Sequence, residues 1–129
     1  MLESQVTSQV AETALKNLKD ALSISNPTAL ERDGTVQRFE YSYELIWKLA
    51  RRVLKENEIE ADVPKAVFRE LGRINWIDNV ESWIEFQTSR NETSHEYGER
   101  LAQKSYALAK IFLPLAESLL IVLKSKINE

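Results

Sequence analysis

Apolar residues recur every three or four positions along most of this chain. Val6, Val10, Ala14, Leu18 and Leu22 stand at that spacing, which places them on one face and predicts a first amphipathic helix over about 4–24. "SNPT" (25–28) ends it. Asn26 can cap and Pro27 suits a first helical position, so a short turn is expected there. A second helix is predicted from near Asp33, a good N-cap type, to about the start of "ENEIEAD" at 56. Its stripe is Val36, Phe39, Tyr43, Ile46, Trp47, Ala50, Val53 and Leu54. Arg51, Arg52 and Lys55 fall in its last turns, where the helix dipole favours cations.

Asp62 and Val63 precede "PKAVFRELG" (64–72), a short third helix with Gly72 as its stop. Asp78 and Glu81 form a D-x-x-E pattern like a capping box. They open a fourth helix through Val80, Trp83, Ile84 and Phe86, with Gly98 as its end or bend. The last helix is expected over about 99–126. Leu101, Leu108, Phe112, Leu115, Leu119 and Val122 make its stripe, and Ser105 is the one polar member. Pro114 lies inside this pattern and predicts a kink, because its ring removes a backbone donor and crowds the preceding turn.

Four long amphipathic helices with short connections predict an all-α fold: an antiparallel up-and-down four-helix bundle with one short extra helix. Residues 1–129 are read as one domain. The stripes of the second and fifth helices are wide enough for a further neighbour, which leaves room for a two-fold dimer. Only three glycines and three prolines occur, too few for the many turns of an all-β domain. Hydrophobic residues at 43% and charged residues at 29% fit a globular chain rather than a disordered one.

The formal net charge is −3 and the pI about 5.3. Proteins that wrap nucleic acid are usually basic, so any RNA role here must use a local patch. The chain has no cysteine and one histidine, which excludes disulfides and argues against a metal site within one chain. No cofactor is expected. "MLESQVTSQV" has no signal-peptide pattern, and the longest apolar run, Leu119 to Leu123, is too short to span a bilayer. The expectation is a cytoplasmic protein without a membrane partner.

The polar chemistry concentrates in "RNETSHEY" (90–97), which holds the single histidine. Val80, Ile84, Gln87, Asn91 and Ser94 share a helical lane that begins apolar and ends polar. Such a lane either reaches solvent beyond the bundle or lines a site, since buried unpaired polar groups are costly. Histidine titrates near neutrality and serves as acid or base; arginine offers a donor fork suited to phosphate. Arg90 and His95 therefore suit phosphodiester cleavage, with Arg90 on the phosphate and His95 moving a proton. Cleavage of RNA by its own 2′-hydroxyl needs no metal. Positions five apart lie roughly 140° apart around a straight helix, so Arg90 and His95 do not share a face of one. Arg90 shares a face with Ser94 and Tyr97, and Asn91 with His95. One histidine also serves poorly as base and acid at opposite ends of a reaction. A two-fold dimer bringing two copies together eases both difficulties.

"RDGTVQRFEYSYELIWK" (32–48), followed by "PKAVFRELGRINWIDNVESW" (64–83) and "RNETSHEY", resembles the HEPN superfamily, in particular its nucleotidyltransferase substrate-binding, or HepT-like toxin, branch. The resemblance covers nearly the whole chain. It implies a dimeric four-helix bundle with an R-x4-H-x-Y motif near the dimer interface, matched here by Arg90, His95 and Tyr97. It further implies a metal-independent ribonuclease toxin and a cognate minimal nucleotidyltransferase as antitoxin, which adds AMP to Tyr97. Asn91 matches the polar position after the arginine, and Ser94 stands as a supporting residue. A non-catalytic subunit that binds substrate for a nucleotidyltransferase is the other reading within the same family.

Other polar residues are read as ordinary surface. Arg38, Glu40, Tyr41 and Glu44 flank the second stripe, and Arg69 and Arg73 sit on the third helix. Trp47, Trp76 and Trp83 are read as core anchors, and Tyr41, Tyr43 and Tyr106 as structural.

Overall fold

The computed structural model describes residues 2–93 and 98–127, with the backbone alone for residues 2 and 90–93. Five helices account for nearly all of it: α1 (Leu2–Leu22), α2 (Ala29–Glu56), α3 (Pro64–Arg73), α4 (Val80–Thr93) and α5 (Glu99–Lys126). No strand occurs among the described residues.

Contacts between ends set the directions. Ser4 Oγ donates to Glu56 Oε2 at 2.5 Å, joining the start of α1 to the end of α2. Asn57 Nδ2 donates to the Lys126 carbonyl at 3.3 Å, so α5 ends beside the end of α2. Lys124 of α5 pairs with Glu12 of α1 at 3.2 Å. The α2 and α5 helices therefore run parallel, and α1 runs antiparallel to both. Ser89 and Ser105 lie side by side, and Phe86 meets Phe112, so α4 runs against α5. The result is the expected up-and-down bundle, with α3 packed on α2 and α4.

Element boundaries follow local chemistry. The α2 helix begins four residues before the expected Asp33. Thr28 accepts from the Glu31 amide at 3.1 Å, and Glu31 returns a carboxylate to the Thr28 amide at 2.8 Å. This reciprocal capping box satisfies two orphan donors and overrides Asp33 as a start. Gly72 does not stop α3, which continues to Arg73. The left-handed residue is Asn75, at φ 64°. Gly72 serves packing instead, because a Cβ there would collide with the Val80 side chain. The first turn of α4 is anchored by the Asn79 carbonyl, which accepts from Ser82 at 3.1 Å and Trp83 at 3.4 Å. That is one residue beyond the expected Asp78. The α5 helix continues unbroken through Pro114.

The core is aromatic at its centre. Phe112 meets Phe39, Phe86 and Trp83 with ring centroids 5.0, 5.4 and 5.7 Å apart. Trp83 stacks on Phe68 at 4.8 Å and 15°. Such offset and edge-to-face pairs add to the area they bury. Trp83 and Tyr43 are fully enclosed, Trp47 is buried, and Trp76 is partly covered. Tyr41 is 56% exposed, in keeping with its reading as ordinary surface on the second helix.

The face that α1 buries departs from its apolar lane in the first half of the helix, while Ala14 and Leu18 of that lane are buried as expected. Val6 and Val10 are exposed, while Ser4, Ser8, Ala11, Leu15 and Leu18 are buried. Small side chains bring α1 close to α2. The hydroxyl of Ser8 stays satisfied by donating to the Gln5 carbonyl at 2.7 Å. By length and composition alone, α5 is apolar enough to cross a membrane, with mean hydropathy 1.8 over its most apolar window. In the bundle its Leu108, Ala109, Phe112, Ala116, Leu119 and Leu123 form the central core.

Candidate functional site

The buried face of each of three helices turns polar at the same end of the bundle. On α2, positions 39, 35 and 32 lie along one face at helical spacing. Phe39 and Thr35 are buried, and the Arg32 side chain is only 12% exposed. On α4 the buried positions are Trp83, Phe86 and then Ser89. On α5 they run from Phe112 through Leu108 to Ser105. Phe39, Phe86 and Phe112 touch one another, so they close the apolar core. Ser89 and Ser105 follow within one to two turns, their hydroxyls 3.4 Å apart. The Thr35 hydroxyl donates to the Glu31 carbonyl at 2.8 Å.

Arg90 stands at this end. It lies seven residues after Trp83 and four after Phe86 on a continuous helix, which puts it on the face that these two rings occupy. The lane expected to carry the polar change, Val80, Ile84 and Gln87, is only half-buried. The deeper change comes at Ser89. Asn91 lies on the flank with Ile84 and Gln87. Ser94, His95 and Tyr97 lie outside the described residues.

Next to the motif, α2 and α5 are tied together. Arg32 Nη1 donates to Glu99 Oε2 at 2.5 Å, and Arg32 Nε and Nη2 donate to Asp33 Oδ1 at 3.2 and 3.1 Å. The hydrogen bond from Arg32 holds the Glu99 carboxyl below its ordinary range. The same bond with Glu99 pushes Arg32 up, against an opposing effect of desolvation and with a lesser contribution from Asp33. Neither Arg32 nor Glu99 stands out in the sequence as a site residue. The signal that could have shown Arg32 is its place two turns before Phe39 on the core face.

A cavity of about 330 Å³ adjoins this end between α1 and α2, lined in part by Asp20, Glu31, Gly34, Thr35 and Arg38. A groove of about 770 Å³ lies between α1 and the distal half of α5, where Lys16, Lys19 and Lys124 face Glu12 and Glu117. It begins about 18 Å along α5 from Ser105 by helical rise, and its charges are mixed. Arg38 donates to the Asn17 carbonyl at 2.8 Å, and Arg73 pairs with Glu70 at 2.7 Å. Both act as structural surface residues.

Residues 7–125 match the family described as nucleotidyltransferase substrate binding protein like. The chain belongs to this family. The bundle aligns with a Thermus thermophilus protein of known crystal structure at TM-score 0.83 and 32% identity, covering 88% of this chain and 98% of that one. A Haemophilus influenzae protein aligns at TM-score 0.78 and 27% identity, covering 91% of this chain and 98% of that one. Its structure is described as revealing the fold of a substrate binding domain of a nucleotidyltransferase. The protein named probable ribonuclease HepT, also from Haemophilus influenzae, is 34% identical over 85 residues. That match covers 62% of this chain and 58% of the relative's own length.

Proposed function

We propose that this protein is the HepT-like component of a HEPN and minimal-nucleotidyltransferase toxin–antitoxin pair, acting in the cytoplasm as a metal-independent ribonuclease. The observation that carries this reading is the convergence of three polar-turning core faces at the end of the bundle where Arg90 stands. The similarity to a probable ribonuclease supports the same assignment. In the reaction, the RNA 2′-oxygen attacks the adjacent phosphorus and a cyclic phosphate forms. The 5′-oxygen leaves with a proton. Arg90 holds the phosphate and its developing charge. His95 removes the 2′-proton, and His95 of a second copy supplies a proton to the leaving oxygen. Asn91 and Ser94 support the histidine and the phosphate.

Pairing of two copies fits the unpartnered apolar side chains on α5, where Ile111 and Ile121 are 52% and 71% exposed. The direct test is incubation of purified protein with RNA in the presence of a chelator. Cleavage to cyclic-phosphate ends is expected, and intact RNA would overturn the reading.

The partner in this proposal is the cognate nucleotidyltransferase, which neutralises the toxin by transferring AMP from ATP to the Tyr97 hydroxyl with release of pyrophosphate. With ATP, magnesium and that enzyme, the protein should gain the mass of one or more AMP units. The gain should vanish in Tyr97→Phe. An unchanged intact mass removes Tyr97 from the proposal.

The family's description favours a second reading, a non-catalytic subunit that binds substrate for a nucleotidyltransferase. The acidic pI of about 5.3 suits a protein-binding role. A stable complex with the nucleotidyltransferase, together with intact RNA in the cleavage test, would select it.

A further inference from the structure

The Arg32–Glu99 pair joins the start of α2 to the start of α5 across 67 residues of sequence. All three guanidinium nitrogens of Arg32 are engaged, two on Asp33 and one on Glu99. The Arg32 side chain is 12% exposed, whereas those of Asp33 and Glu99 are 60% and 66% exposed. A sheltered cation thus anchors carboxylates that reach in from the surface.

This anchor meets the first turn of α5 at Glu99. Its N-cap is Gly98, which provides no side-chain cap. The Ala102 amide donates to the Gly98 carbonyl at 3.2 Å, and Gln103 Nε2 donates to the same Glu99 oxygen that Arg32 holds, at 3.2 Å. Glu99 follows His95 by four residues and Tyr97 by two. Two carboxylates already neutralise Arg32, which argues against a direct role on substrate phosphate.

We propose that Arg32 is a positioning residue for the reaction at residues 90–97, fixing through Glu99 the point where that segment joins α5. The inference rests on the ribonuclease reading above. Catalytic geometry is sensitive at the level of about 1 Å, whereas an ion pair with one exposed partner adds little stability. Activity should therefore fall more than stability. The pair's small stability contribution is present above the ordinary glutamate range. It is lost only as pH falls through the lowered carboxyl value of Glu99, and the raised value of Arg32 keeps the cation charged throughout. The tether is consequently intact across the neutral range.

The test compares Arg32→Gln, Glu99→Gln, Arg32→Lys and the Arg32→Gln/Glu99→Gln double variant as full chains. In each, kcat and KM for RNA cleavage are measured beside hydrogen exchange of the Ala102 and Gln103 amides. Each glutamine variant should lose about tenfold in kcat with KM within about twofold. The double variant should be no worse than either single, because both remove one interaction. Arg32→Lys should recover most of the rate. Exchange at Ala102 and Gln103 should rise about threefold or more, with melting within about 4 °C of wild type. Rates within twofold of wild type, multiplicative losses in the double variant, or a raised KM at unchanged kcat would each overturn the proposal. Wild-type protein that leaves RNA intact overturns the ribonuclease reading instead. The tether is then decided by exchange alone, and unchanged amide rates refute it.

Discussion

His95→Ala is expected to lower RNA cleavage by about 10²–10⁴-fold, the usual worth of a positioned acid–base group. The chain has one histidine, so no neighbouring imidazole can substitute within a protomer. In a two-fold pair, each variant subunit removes one of the two proton carriers. Both proton transfers are lost in the homodimer. Helical content should stay at the wild-type level, because the described core is built from residues of α1 to α5 outside the 94–97 segment. The measurement is single-turnover cleavage beside circular dichroism and sedimentation. Arg90→Ala should also lose rate, through lost stabilisation of the phosphate charge. A His95→Ala protein that cleaves at the wild-type rate sinks the catalytic assignment. A variant that merely dissociates into monomers, from a wild type that never cleaved RNA, would make the motif an interface element.

Phe112→Ala should cost about 3–5 kcal/mol of folding stability. Its ring is fully buried and touches Phe39, Trp83 and Phe86 within 6 Å, with Tyr43 at 6.3 Å. Truncation removes the shared partner of α2 and α4, and the surrounding rings cannot all move inward. A domain of this kind has only about 5–15 kcal/mol in hand, so the loss is a large fraction of the total. Urea unfolding at unchanged slope would read it directly. Leu30→Ala, at a position 84% exposed, is the control and should fall within about 0.5 kcal/mol of wild type. A Phe112→Ala cost under about 1 kcal/mol would contradict the packing described. Because the Phe39–Phe86–Phe112 junction closes the core just below Ser89 and Ser105, the variant should also loosen the polar end.

The five helices were legible because a period near 3.6 survives in the apolar pattern of each one. The start of α3 was legible from Pro64. Errors came where two local signals competed. Asp33 offered a cap, but Thr28 and Glu31 offered a reciprocal one five residues earlier. Gly72 offered a stop, but close packing against Val80 demanded it inside the helix. In α1, Val6 and Val10 looked like core, yet Ser4, Ser8 and Ala11 are the buried positions. Periodicity marks a face, and helix-to-helix distance decides which edge of that face is covered.

Residue types and spacing singled out Arg90 and His95, with Asn91 and Ser94 on the polar lane, and the resemblance carried by the order of the motifs added Tyr97. The acid–base capacity of one histidine and the phosphate affinity of arginine are properties of the side chains themselves. Tertiary structure alone brought Arg32, Thr35, Ser89 and Ser105 to the end where Arg90 stands. Those residues are separated by up to 73 positions, from Arg32 to Ser105, and a one-dimensional pattern carries no register between helices. That register is fixed by the packing of Phe39, Phe86 and Phe112, a property of three helices together.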